Sequence, residues 1–311
     1  MATLKELAGK EELFSGGHRL CAGCGIPPIV RIVLRSTDAK IVSACATGCL
    51  EVATTVYPYT AWRVPWIHSA FENAAATATG AETAYRVLKK RGRIPADRDI
   101  KFIAFGGDGG TYDIGLQSLS GALERGHNFL YVCYDNGAYM NTGIQRSSAT
   151  PFASNTTTSP AGSVVPGKQE WRKDLTRIVV AHNVPYAAQA SPHNWSDLSK
   201  KAEKALAIEG PTFLNVMSPC PLGWYTKSQD SIKWAKLSVD TCYWPLYEVT
   251  EGVLKVTYKP KEKKPIADWL KPQGRFKHLF KPGAEGILEH IQDRIDKDWA
   301  RLLDLDGKPL F

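Results

Sequence analysis

Three largely apolar runs of strand length punctuate the chain, at residues 100–105, 129–134 and 211–217. Near-continuous runs of this kind fit strands covered on both faces, as in a parallel sheet with helices on either side. Residues 40–43 and 185–190 are shorter versions of the same pattern. Between them the spacing predicts helices over residues 4–13, 27–34, 68–90, 112–125 and 173–182, and one capped by Asn194 or Ser196 and ending near residue 208. Pro27-Pro28 suits a first helical turn. The 68–90 stretch has an unusually small-sided middle (Ala74, Ala75, Ala76, Ala78, Gly80, Ala81, Ala84), so it can approach a sheet closely. Residues 52–67, with Tyr57, Tyr59, Trp62, Trp66 and two prolines, read as an irregular segment near a site or an interface. Residues 145–167 are rich in Ser, Thr, Pro and Gly; so long an irregular stretch in a compact domain is functional or partner-bound rather than idle. After residue 220 the alternation weakens. A hairpin is expected over 246–258, turning near Glu251-Gly252, then a basic, proline-interrupted stretch, then an amphipathic helix over 286–303 with Ile287, Ile291, Ile295 and Leu302 near one face. The expected fold class is α/β: a doubly wound, mainly parallel sheet in residues 1–220, and a C-terminal extension, 221–311, packing on it.

Composition narrows the class without naming it. The 311 residues are 43% hydrophobic and 23% charged, with no low-complexity tract. No apolar run approaches the roughly 18 residues that span a bilayer, and residues 1–14 lack a signal-peptide core, so a cytoplasmic location is expected. The net charge of +8 invites a nucleic-acid reading. No nucleic-acid module matches, however, and the excess is concentrated between Lys255 and Lys281, which suits an exposed, partner-facing tail. Seven cysteines in such a chain point to ligation or catalysis before disulfides.

The chemistry concentrates between Gly106 and Gly143. One predicted strand runs into Gly-Gly-Asp-Gly-Gly, and the next runs into Asp135-Asn136. Strand ends of an open parallel sheet face the crevice where ligands bind. Asp108 and Asn136 offer the hard oxygens that magnesium takes alongside phosphate. The glycines admit a diphosphate to the backbone, and a following helix N-terminus favours negative charge. Gly107-Asp108-Gly109, then 26 residues, then Asn136 is the spacing of a thiamine diphosphate motif. Two ordinary turns would also use Gly and Asn, but both here follow clean strands at a βαβ-sized separation.

The cysteines form a second constellation. Cys21 and Cys24 make C-x-x-C, and Cys49 follows twenty-five residues on. Zinc and iron–sulfur centres both use such sets; a redox pair and buried free thiols are the competing readings. Cys133 lies within a core strand and Cys242 in the tail. A fourth ligand could be Cys45, one helical turn before Cys49, or Cys220, in a proline-flanked loop after a strand, with spacing leaning toward Cys220.

These residues carry a family resemblance. C-A-G-C-G, A-T-G-C-L-E-V, Y-P-Y-T-A-W, I-H-S-A-F-E-N, F-G-G-D-G-G-T-Y-D-I-G-L-Q-S-L-S-G, Y-D-N-x-x-Y-M-N-T-G-x-Q-R-S and S-P-C occur in order between about residues 15 and 280. The chain thereby resembles the β subunits of pyruvate:ferredoxin oxidoreductases, within the 2-oxoacid:ferredoxin oxidoreductase superfamily. The resemblance implies the thiamine-diphosphate-binding α/β fold and a [4Fe–4S] cluster on Cys21, Cys24, Cys49 and Cys220, leaving Cys45 as an extra thiol. It implies Mg2+ on Asp108, Asn136 and the carbonyl of Ala138. Cofactor contacts would come from Cys49, Gly107, Asp108, Gly109, Gly110, Asn136, Gly137, Ala138, Tyr139 and Asn141, with Asn141 also reaching the substrate as the catalytic side chain. The implied activity is oxidative decarboxylation of pyruvate to acetyl-coenzyme A and CO2, with electrons passed to ferredoxin. The implied partners are an α-type subunit supplying the activating Glu and most of the substrate pocket, a γ-type subunit, and a ferredoxin-like cluster subunit. Two departures stand out: Gly137 where the family often has Glu, and Ala22 where it commonly has Pro. Oxalate, which would need no coenzyme A, and other 2-oxoacids are alternatives, and a non-redox thiamine enzyme is a further one.

Overall fold

The computed structural model describes residues 3–311. In chain order its elements begin with α1 (Leu4–Gly9), α2 (Ile26–Leu34), β1 (Lys40–Ala46), α3 (Cys49–Thr54), β2 (Trp66–Ser69), α4 (Ala74–Lys90) and β3 (Ile100–Gly107). A π-type turn (Gly109–Asp113) leads to α5 (Leu116–Glu124), β4 (Phe129–Asp135), α6 (Leu175–Val180), β5 (Tyr186–Ala190), α7 (Trp195–Ala207) and β6 (Pro211–Met217). The rest comprises α8 (Pro221–Trp224), α9 (Ser231–Asp240), β7 (Leu246–Thr250), β8 (Val253–Tyr258), α10 (Ile266–Leu270), a 3-10 segment (Gly274–Phe280) and α11 (Glu285–Asp304).

One eight-stranded sheet, in the order β2-β1-β3-β4-β6-β5-β7-β8, runs through the molecule. The first six strands in that order pair in parallel, and β7 and β8 add antiparallel. The central strands explain the apolar runs: every residue of β4 and of β6 is buried. Helices cover both faces. Ala74, Ala75 and Ala78 of α4 lie on one face with Ala44 and Ala104 of the sheet. On the other face α2 and α7 bury Ile29, Val30, Val33, Leu198 and Ala202 against Ile103, Leu130 and Leu214. Asn194 caps α7, accepting a hydrogen bond from the amide of Asp197 at 3.2 Å. A third cluster of side chains, built largely from α9, α10 and the segments after them, holds the buried Trp224, Trp244 and Trp269.

Three expectations change. The helix placed at 4–13 stops at Gly9. The helix placed at 68–90 starts only at Ala74, because Trp66–Ser69 pairs in parallel with β1 as an edge strand and puts His68 there. The helix placed at 112–125 is preceded by the π-type turn and begins at Leu116. The tail beyond residue 220 shares the sheet: β7 pairs with β5, and Tyr247, Val249, Leu254 and Val256 join the core formed by β3, β4 and α5. Its last residues lie along the outer side of β8, with the Leu254 amide donating to Lys308 and the Leu310 amide to Gly252, each at 3.0 Å. Among the described residues no helix is long and apolar enough to cross a membrane.

Candidate active site

The carboxyl ends of β1, β3 and β4 open into one cleft, lined by Thr47, Gly48 and Cys49, by Gly107 to Gly110, and by Asn136 and residues 138–142, with Phe71 on one side. Gly109 has a steric reason. A Cβ there would stand 2.4 Å from the Tyr139 ring, which itself stacks on Phe71 with centroids 5.6 Å apart and an interplanar angle of 14°. Residues 139–145 fold back as a tight loop, the Tyr139 amide donating to the Gln145 carbonyl at 3.0 Å and the Ile144 amide to Tyr139 at 2.9 Å. Asn141 projects from this loop at the exposed mouth of the cleft.

Oxygen atoms converge at the base. The outer amide atom of Asn136 lies 2.9 Å from Asp108 Oδ1 and 3.0 Å from the Ala138 carbonyl oxygen. A nitrogen in that place donates to both; an oxygen there can share a cation with both. Neighbouring ligands of octahedral magnesium, bound at about 2.1 Å, stand about 3.0 Å apart, so the spacing fits. The charge fits as well. Asp108 is 1% exposed, forms no ion pair among the described residues, and has its carboxyl pushed well above the usual range by burial and then by the like charge of Asp135. A buried carboxylate in that state calls for a cation.

Residues 145–168 explain how Asp108 is aimed. Residues 147–156 and 167–168 of this stretch are largely buried, whereas most of 157–165 is exposed. Ser147 Oγ donates to Asp108 Oδ2 at 2.5 Å, leaving Oδ1 toward Asn136. Thr150 Oγ1 donates to the Gly137 carbonyl at 2.8 Å, and Ser148 hydrogen-bonds Asp113. Lys168, itself 1% exposed, ties the strap down through Nζ, which donates to the carbonyls of Thr150 at 2.7 Å and Ser148 at 3.3 Å. Behind β4, Asp135 is neutralised by Arg172 at 2.5 Å and accepts from Tyr112 Oη at 2.6 Å. A cavity of about 540 Å³ lies on that side, between α6 and α11. It contains neither the converging oxygens nor the four thiols described next.

Cys21, Cys24, Cys49 and Cys220 are close enough that every pair among them interacts electrostatically, and these neighbours oppose ionisation of Cys24, Cys49 and Cys220. Burial first, and then these neighbours, push Cys24 and Cys49 up to about 12. Glycines bring the loops together. A Cβ on Gly23 would stand 2.3 Å from the Ser228 carbonyl oxygen, and one on Gly25 2.6 Å from Pro219 Cδ. The Gly25 amide donates to the Pro219 carbonyl at 2.9 Å. Among the described residues no three His, Cys, Asp or Glu side chains gather tightly enough to hold a single metal ion. Four soft sulfur donors in one neighbourhood are a ligand set that zinc and iron–sulfur centres both use. Cys45 is not among them: it is fully buried on β1, and its thiol donates to the Ala46 carbonyl. Cys133 and Cys242 are buried in separate cores.

The two constellations meet. Cys49 lines the cleft and belongs to the thiol set. Trp224, four residues after Cys220, donates from Nε1 to the Asn136 carbonyl at 2.8 Å. Met140 packs onto Gly223, where a Cβ would stand 2.1 Å from its sulfur. Gly137 alone of residues 136–142 does not line the cleft. With φ +78 it turns toward Pro151 and Arg275. Ser147, Lys168, Arg172, Trp224 and Phe71 were not singled out from the sequence; Ser147 and Phe71 lie inside quoted motifs, whereas the others carry no local signal.

The model of the thiamine pyrophosphate enzyme C-terminal TPP-binding domain matches residues 46–216. Pyruvate synthase subunit PorB of Thermotoga maritima is 53% identical over 97% of this chain and 94% of its own length. PorB of Methanocaldococcus jannaschii is 52% identical over 92% and 96%, and ketoisovalerate oxidoreductase subunit VorB of Pyrococcus abyssi is 41% identical over 95% and 94%. A solved 2-oxoglutarate:ferredoxin oxidoreductase from Magnetococcus marinus has the same fold, with TM-score 0.54, 19% identity and coverage of 73% of this chain and 81% of that one. With a matched TPP-binding domain and relatives aligned over nearly its whole length, the chain belongs to the β-subunit family of pyruvate and related 2-oxoacid:ferredoxin oxidoreductases.

Proposed function

We propose that this chain is the subunit that binds thiamine diphosphate, Mg2+ and a [4Fe–4S] cluster in a pyruvate:ferredoxin oxidoreductase. The observation that carries the reading is the position of Cys49, shared by the cofactor cleft and the thiol set. Asp108, Asn136 and the Ala138 carbonyl would hold Mg2+, and Gly109 and Gly110 would admit the diphosphate. When bound, thiamine diphosphate supplies the electron sink for loss of CO2 from a 2-oxoacid, and the cysteine-held cluster accepts the electrons. Asn141, at the mouth, would donate a hydrogen bond to charge developing on the substrate. Phe71 and Tyr139 wall the cleft on one side with stacked rings. The α-type partner would supply the activating Glu and close the substrate pocket, and ferredoxin-type partners would receive electrons. The higher identity to pyruvate synthase subunits, 53% against 41% for the ketoisovalerate relative, favours pyruvate with coenzyme A as acyl acceptor.

The test is a substrate panel on the anaerobically purified complex: pyruvate, oxalate, 2-oxoglutarate and 2-oxoisovalerate, each with and without coenzyme A. Pyruvate should be turned over fastest and only with coenzyme A. Oxalate turnover independent of coenzyme A would replace pyruvate, and lack of iron and acid-labile sulfide in this subunit would remove the cluster from the reading.

A further inference from the structure

Arg275 is 2% exposed and forms no ion pair with a carboxylate among the described residues. Its Nε donates to Gln273 Oε1 at 2.9 Å. Its guanidinium carbon lies 4.5 Å from the ring centroid of Trp224, 5.1 Å from that of Phe276 and 5.7 Å from that of Trp269. Backbone contacts fix it: its carbonyl accepts from the Asn155 amide at 3.0 Å, and Gly274 lies where a Cβ would stand 2.7 Å from Tyr225 Cβ. A guanidinium stays charged at neutral pH, and ring faces offset only part of the loss of hydration on burial. An anion should therefore lie nearby.

The candidates are few. Tyr243, Cys220, Asp135 and Asp108 are the acidic groups near enough to act on Arg275. Asp135 is paired with Arg172, Asp108 faces the proposed magnesium site, and Tyr243 is buried with its hydroxyl proton held more tightly than usual. Cys220 remains. Trp224, which Arg275 covers, follows Cys220 on the same short helix.

We infer that Arg275 is the charge-balancing residue of the cysteine-held centre, stabilising its reduced form over its oxidised form and so raising its reduction potential. The inference rests on the proposed cluster. A cluster held by four thiolates is anionic and gains one further negative charge when one electron enters; Arg275 stays cationic in both states and exchanges no proton. A fixed cation therefore favours the reduced side. Gly137 contributes by omission, because the space a side chain would take there lies 3.1 Å from Arg275 Nη1. A carboxylate at that position would neutralise the guanidinium.

The experiment is an EPR-monitored potentiometric titration of the anaerobic complex, with dithionite as reductant, on wild type, Arg275→Gln, Arg275→Lys and Gly137→Asp. Arg275→Gln should shift the midpoint of one cluster to more negative potential, with the partner subunits' clusters unmoved as internal controls. Arg275→Lys should stay close to wild type, and Gly137→Asp should shift in the same direction as Arg275→Gln although Arg275 is present. Aspartate is among the residues that tolerate the left-handed backbone at 137. Unchanged midpoints in Arg275→Gln at full iron content overturn the inference. If Arg275→Gln does not assemble, an unmoved midpoint in Gly137→Asp overturns it alone. Absence of iron from the wild-type subunit overturns the proposed function and this inference together, whereas iron present with unmoved midpoints overturns only the inference.

Discussion

Replacing Arg172 by methionine should be among the most damaging single changes available behind the cleft. Arg172 donates to Asp135 Oδ2 at 2.5 Å and to Tyr112 Oη at 2.6 Å, with its guanidinium carbon 4.6 Å from the Trp244 ring centroid. Asp135 is 2% exposed, and Asn215 Nδ2 joins the same network through Tyr112 at 2.7 Å. Methionine leaves the Asp135 carboxylate buried with only the Tyr112 hydroxyl and the Gly137 amide for partners. Breaking a buried ion pair from one side costs about 3–5 kcal/mol, while removing both charges together is far milder. Natural folds have about 5–15 kcal/mol in total, so the single variant should lose a large fraction of its stability. Asp135→Asn in the same chain should restore about 1–3 kcal/mol of it, as coupled neighbours do. Urea denaturation of wild type, both single variants and the double variant gives the full cycle. Thiamine diphosphate affinity is a second readout, since Asp135 precedes Asn136. An Arg172→Met chain within about 1 kcal/mol of wild type, or strictly additive variants, would refute the view that this pair acts as one buried unit.

Ser147→Ala removes the hydrogen bond that aims Asp108. A bond to a charged group contributes about 1.5–3 kcal/mol, so calorimetric affinity for thiamine diphosphate with Mg2+ should fall about 10- to 150-fold; a change under twofold would count against the strap's role. Iron per subunit should drop sharply in Cys220→Ser and stay unchanged in Cys45→Ser, because only Cys220 interacts with the other three thiols; equal losses would reopen the ligand set. Burial holds His193 down to about 4, below the ordinary value of about 6.5. The unfolded chain therefore takes up the proton first as pH falls, so this group's contribution to stability is full above about 6.5 and is lost toward 4. His193→Gln should flatten the stability profile across that window, and parallel profiles for the two proteins would exclude the effect.

What could be read from the sequence followed from local rules. The apolar runs located β3, β4 and β6 because strands covered on both faces read as near-continuous apolar stretches, here interrupted only by residues such as Lys101 and Asn215. Asp108 and Asn136 were legible because the parallel sheet places successive strand ends at one edge. Spacing leans only slightly toward Cys220 over Cys45; in the structure Cys45 points into the core from β1, whereas Cys220 lies near Cys21, Cys24 and Cys49. The start of α4 was misplaced because I-H-S fits a helix and a short edge strand equally well; pairing with β1, a tertiary contact, decides it. Ser147, Lys168 and Arg275 were invisible for the same reason. The partners of Ser147 and Lys168 lie 39 and 18 to 20 positions away, and the acidic groups around Arg275 roughly 30 to 170, too far for a short window along the chain to contain both ends.

The residues that run along β8 bear on how the chain meets others of its kind. An open strand edge is a row of unpaired donors and acceptors, and a second chain can add to it. At one side of the sheet the exposure is limited by length, since β2 has only four residues. At the other, Gly307 to Leu310 occupy part of the edge, with Leu310 buried at 5% and Pro309, which has no amide proton to offer, opposite Val253. A chain cut back to residue 306 would keep its cleft and its cysteines but bare an apolar edge alternating through Leu254 and Val256. Its first failing would be self-association into aggregates, before any loss of chemistry.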